Sequence, residues 1–152
     1  MTNENIIAQL TSKDTMAARD FAEMILCESQ FSDKWYKYFD TFASLLNHPN
    51  SYVRNRIFYI IAQNVQWDTD DKFDDIFDGF LSHITDEKPI TARQCIKALG
   101  ELGAHKHKYV PRIIEAFHNA DLSKYKDSML PLIKNDMYET EDLLLNHIHS
   151  HK

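Results

Sequence analysis

His48–Val65 reads HPNSYVRNRIFYIIAQNV, and Glu87–Ala104 reads EKPITARQCIKALGELGA. Each opens on a polar turn carrying a proline. Each then runs on with apolar residues at three- and four-residue steps, the period of one helix face. Val53, Ile57, Ile60, Ile61 and Asn64 form that stripe in the first copy, and Ile96, Leu99 and Leu102 form it in the second. The residue before a proline is pushed out of the helical region, so both turns are breaks between helices. Ser51 is placed to cap the first helix. Thr91 and Gln94 have the spacing of a capping box for the second.

The echo extends outward. Arg54 and Arg93 lie 39 residues apart, as do Ile57 and Ile96, and Ile60 and Leu99. In the helices before the turns, Phe42 and Leu81 keep the same offset, as do Leu45 and Ile84. A third unit fits at offsets of 33 and 34, pairing Leu81 with Ile114, Ile84 with Phe117, Ile96 with Leu130 and Leu99 with Ile133. The slip falls in a loop, where length changes are tolerated. A helical hairpin of this size cannot bury its apolar face alone, whereas stacked copies share one core. Upstream, Asp14 is placed to cap a helix carrying Met16, Phe21, Met24 and Ile25, and DKWYKYFDTFASLLN and KFDDIFDGFLSHI each read as one helix.

The composition agrees. Of 152 residues, 43% are apolar and 26% charged, the balance of a globular chain, and 3 Gly with 4 Pro leave little room for turn-rich β-structure. The formal charge of −6 comes without a Lys/Arg run, so a phosphate-gripping face for nucleic acid is not expected. MTNENIIAQL has neither a basic region nor an apolar run of signal length. No stretch reaches the roughly 18 apolar residues of a membrane span. Cytoplasmic location with no membrane partner is the expectation. Cys27 and Cys95 stand far apart and read as reduced core fillers.

NHPNSYVRNRIFYIIAQ and TDEKPITARQCIKALGELG resemble the inter-helix turn and second helix of HEAT-like, armadillo-type repeats. Val53-Arg54 and Ala92-Arg93 match the repeat's Val/Ala-Arg dipeptide, and Asp86 matches its acidic turn position, where the first copy has Asn47. LSHITDEKPITARQCIKAL and ADLSKYKDSMLPLI are also similar to small bacterial HEAT-like proteins, some of which carry an iron–sulfur-assembly label. Two lone cysteines make no cluster site, and no cofactor is expected. The resemblance implies an all-α fold, an α–α superhelix built as a short solenoid. The organisation expected is a single domain over residues 1–152. It comprises N-terminal helices over 3–30, repeats over about 33–66, 71–104 and 107–136, and a C-terminal helix over about 138–148.

No catalytic constellation stands out. There is no G-x-S-x-G, no histidine near a cysteine in sequence and no glycine-rich phosphate loop. WDTDDKFDD packs five carboxylates into Asp68–Asp75 but lacks the central Gly and terminal Glu of a calcium loop, so it reads as an acidic helix start. His105 and His107 form one histidine group and His147, His149 and His151 another. The second sits where chain ends fray, and no metal site is assigned. Trp35, Tyr36, Tyr38 and Phe39 read as core with Tyr36 outside rather than as a base-stacking box.

What remains is a binding surface. In HEAT-like solenoids the second helices line the concave side, and Asn55, Phe58, Gln94, Lys97 and Glu101 project from the core-facing arc as candidate partner contacts. Phe58 stands where the next copy has Lys97, so it is either covered or a contact anchor. Arg54, Arg93 and Asp86 are assigned structural roles, the arginines bonding turn carbonyls or an acid of the adjacent repeat. The function expected is a non-enzymatic protein- or peptide-binding scaffold. The alternative is a DNA-binding or DNA-repair enzyme, since HEAT-like repeats also build alkylbase glycosylases. A homo-oligomer through the apolar EDLLLNHI tail is a further expectation.

Overall fold

The computed structural model describes residues 1–150, with side chains described through Ile148. Every regular element among them is helical, with no strand. None of the helices is long and apolar enough to cross a membrane. The chain divides into two compact units, Met1–Ile76 and Phe77–Lys152.

The first unit holds α1 (Asn3–Leu10), α2 (Thr15–Ser29), α3 (Phe39–Ser44) and α4 (Ser51–Asn64). Asp14 caps α2 as expected, its Oδ1 accepting from the Ala17 N–H at 3.1 Å. At α4 the cap moves by one residue. Asn50 accepts from the Tyr52 N–H at 2.9 Å, and Ser51 is already inside the helix. Phe21 and Ile25 are buried in α2 with Ala18 and Ala22, but Met16 and Met24 are exposed, so the buried stripe is narrower than the apolar one. Cys27 is exposed too, against its expected place in the core. All five stripe residues of α4 are buried.

Helices α2 and α4 run parallel, side by side. Near their starts Arg56 donates to the Thr15 carbonyl at 3.3 Å. At their ends the Asn64 amide reaches Ser29 Oγ at 3.1 Å. The Ser29 carbonyl accepts from Gln66 at 3.2 Å and from the Trp67 indole at 2.8 Å. Short α3 packs on α4 ahead of it, entered through a 3-10 turn at Tyr36–Tyr38.

The acidic stretch is organised by one residue. Buried Asp68 accepts from the backbone N–H of Lys72 at 3.0 Å and of Phe73 at 2.8 Å, and from the Tyr36 hydroxyl at 2.5 Å. Burial and the adjoining carboxylates push Tyr36 far above the ordinary tyrosine range, so it stays a donor. Asp68 thus caps a 3-10 turn at Lys72–Asp75, and KFDDIFDGFLSHI is not the single helix its period suggests. It resolves into that turn, α5 (Phe77–Leu81) and a second 3-10 turn at Ser82–Thr85. Asp71, at φ 55°, holds the left-handed conformation that side chains disfavour. Valine there is expected to cost about 1–2 kcal/mol in urea unfolding, while glycine should stay within about 0.5 kcal/mol of the parent.

The second unit holds α5, α6 (Pro89–His105), α7 (Val110–Asn119) and α8 (Leu130–Ser150). Pro89 occupies the first turn of α6, a position that suits proline because the missing N–H has no helical partner there. The helix therefore starts upstream of Thr91, and the expected capping box does not form. The repeat expected to end near residue 136 and the helix expected over 138–148 are one helix, α8, since no glycine or proline follows Pro131.

Helices α6 and α8 are also parallel. Their contacts run in step from Arg93 with Asp136, through Gly100 with Thr140, to Gly103 with Leu144, and His107, in the 3-10 turn after α6, meets His147. The approach is close. A Cβ at Gly103 would fall 2.5 Å from Leu144 Cδ2 and 3.1 Å from Val110 Cγ2, so a side chain there would push against α8. Ile57 and Ile96, and Ile60 and Leu99, which echo one another in sequence, are all fully buried. Each unit thus contains two successive pairs of a short helix, a break and a longer helix, with the longer helices parallel.

Candidate functional site

Within α6, residues that share a helical stripe are sorted by what they meet. Ile96 and Leu99 are buried, Cys95 and Ala98 likewise, and Gly100 and Gly103 face α8. The arc left over carries Ile90, Lys97 and Glu101, all exposed, with Gln94 half-buried among them. Alongside, α8 exposes Leu132, Glu139 and Leu143 on one stripe, since eleven residues make three helical turns. Ile90 and Leu143 are 61% and 64% exposed, which leaves large apolar side chains in water on a firmly packed helix pair.

Arg93 and Asp136 join the two helices at this face. Arg93 Nε donates to Asp136 Oδ2 at 2.5 Å, and its Nη2 reaches Oδ1 at 3.4 Å, a forked pairing that suits guanidinium geometry. Arg54 makes the other bond expected of these arginines. It is buried, and its Nη1 donates to the turn carbonyls of His48 at 2.8 Å and Pro49 at 3.1 Å.

Asp86 anchors the turn before α6. Its Oδ2 lies 2.7 Å from His83 Nδ1, its Oδ1 accepts from the Lys88 N–H at 2.9 Å, and its carbonyl accepts from the Tyr125 hydroxyl at 2.6 Å. Burial, then the Asp86 carboxylate, push Tyr125 up to about 12, so it remains a donor at neutral pH. Cys95 is drawn into this neighbourhood, its thiol donating to the Phe80 carbonyl at 3.4 Å. Burial, with Asp86 adding to it, raises that thiol well above its ordinary value. A fully buried, protonated thiol is a packing residue rather than a nucleophile. His83, Asp86 and Tyr125 therefore brace this turn by hydrogen bonds, and buried Cys95 lies close enough to feel the Asp86 charge.

The candidate contacts on α4 fare differently. Phe58 is fully buried and belongs to the core, so it is not a contact anchor. Its equivalent, Lys97, is exposed because the two positions meet different neighbours. Asn55 is half-buried, and its side-chain oxygen is covered with no hydrogen-bond partner among the described residues. The tryptophans a glycosylase would need are engaged elsewhere. Trp67 donates to the Ser29 carbonyl, and buried Trp35 donates to Glu28 at 2.7 Å. Bonds from Lys34 and Trp35 hold Glu28 below the usual carboxylate range.

Sequence reading missed Asp136, Ile90, Leu132 and Leu143 as members of this face. The eleven-residue step between the two leucines was the available signal. It also kept apart His107 and His147, whose rings meet edge to face with centroids 4.9 Å apart. His149 and His151 lie outside the described side chains, and among the described residues no three His, Cys, Asp or Glu side chains converge as metal ligands. No protein-family model matches the chain, and neither a curated protein nor a solved structure gives a significant match.

Proposed function

We propose that the chain is a non-enzymatic protein- or peptide-binding scaffold built from HEAT-like helical pairs, with the α6–α8 face of the second unit as its contact surface. Two successive helix–break–helix pairs in each unit, with their longer helices parallel, support the HEAT-like reading. The observation that carries the binding assignment is the exposed arc of Ile90, Lys97 and Glu101 beside Leu132 and Leu143. Apolar side chains interleaved with both charge signs suit a polar–apolar peptide segment, with the leucines as anchors and Lys97 and Glu101 fixing register.

The test is charge reversal, Lys97→Glu with Glu101→Lys. The tagged parent and double variant are used to capture partners from the native cell, read by quantitative mass spectrometry. A partner recovered with the parent should fall by about tenfold with the variant, the effect of some 1.4 kcal/mol at a contact surface. Equal recovery at an unchanged melting temperature would place the contact surface elsewhere.

A further inference from the structure

The buried flank of α8 carries Asp136, Thr140 and Leu144, which meet α6. Pro131, Tyr138 and Leu145 lie on another flank at seven-residue steps, and all three are exposed. Apolar side chains at that step keep to one side of a helix and form the seam along which a second helix packs. Tyr138 is 76% exposed, a large ring left in water at the middle of the stripe. This stripe is not the one that carries Leu132 and Leu143. Five residues separate Tyr138 from Leu143, which turns it about 140° around the helix axis.

The charges beside the stripe have a matching pattern. Lys134 precedes Tyr138 by four residues and Asp142 follows it by four, and both are exposed. Eight residues of helix set them about 12 Å apart, too far to pair within the chain. Asp142 accepts from Asn146 Nδ2 at 3.4 Å, and its carboxylate has lone pairs for further donors.

We propose that α8 pairs with α8 of a second copy of this chain, antiparallel, about a two-fold axis through Tyr138. Such an axis sets each residue against the one equally far from Tyr138 on the other side. Pro131 then meets the partner's Leu145, Lys134 meets the partner's Asp142, and the two Tyr138 rings meet at the axis. Each off-axis contact occurs twice, as in any two-fold interface. A parallel pairing would instead set Lys134 against Lys134 and Asp142 against Asp142, so like charges oppose it. The central ring pair adds its own contact to the burial of the apolar ends. The seam is about 21 Å long, at 1.5 Å per residue. The pairing does not rest on the peptide-contact reading, because it uses neither Lys97, Glu101 nor the Leu132 and Leu143 stripe.

Sedimentation equilibrium of the full chain tests this. A dimer dissociating on the order of 50 μM is expected, since a single-helix seam falls short of the standard interface of about 800 Å² per partner. Lys134→Glu should weaken it by about tenfold, because symmetry places each repulsive pair twice. Adding Asp142→Lys should restore the parent affinity, as the pairs are then rebuilt with their signs exchanged. Tyr138→Glu should leave a monomer at about 500 μM, whereas Leu143→Ser, on the other stripe, should leave the dimer unchanged. These side chains are exposed, so the variants should keep the parent melting temperature, read by circular dichroism. A parent chain that is monomeric at about 500 μM would overturn the proposal and leave the stripe to a different partner. A dimer indifferent to Tyr138→Glu, or one weakened by Lys134→Glu and not rescued by Asp142→Lys, would overturn it as well.

Discussion

Arg93→Ala is expected to destabilise the second unit by about 3 kcal/mol, because it leaves a buried carboxylate without its cation. Asp136 is 4% exposed and Arg93 27%, so the two ends of the pair are not equivalent. Asp136→Ala should cost less, since the guanidinium left behind can turn toward water. The double variant Arg93→Met with Asp136→Leu should recover most of the loss, as buried pairs replaced by apolar groups of similar volume often do. Thermal unfolding followed by circular dichroism checks this. Arg93→Ala should lower the melting temperature by on the order of 10–20 °C for a unit of this size. If Arg93→Ala and Asp136→Ala both melt with the parent, the bridge contributes nothing and the α6–α8 face is held by packing alone.

Phe58→Ala is expected to cost about 4 kcal/mol, through the lost burial and the cavity left in the first unit. The chain's two tryptophans, Trp35 and Trp67, both lie in that unit, so tryptophan fluorescence follows its unfolding directly. The urea midpoint should fall by roughly 2 M at a typical slope. A contact anchor would behave in the opposite way, with little change in the midpoint and loss of partner capture. The measurement thus separates the two readings that the sequence left open at this position.

Much of the helix content was legible because helix periodicity is local. The stripe of α4 and that of α6 could be read residue by residue, and the breaks at Pro49 and Pro89 followed from the constraint proline places on its neighbours. The echo between Arg54 and Arg93 was legible as recurrence, and so was the pair of bonding modes open to an arginine at such a turn. Which arginine would take which mode was not. Arg54 found carbonyls six and five residues back, whereas Arg93 found an acid 43 residues on. Local caps were read less well. Asn50 competes with Ser51 for the same N–H groups, and Pro89 sets the start of α6 before Thr91 can act.

The sequence by itself determined that this chain is helical and that its apolar stripes repeat, because spacing along a helix fixes which residues share a face. Tertiary structure alone decided what lies against each face. It covered Phe58 while leaving Lys97 in water. It split KFDDIFDGFLSHI into short turns once Asp68 captured two of its amides, and it divided the chain into two units. It also carried His147 to His107 and Asp136 to Arg93. Such placements depend on contacts between segments distant in sequence, and no local period encodes them.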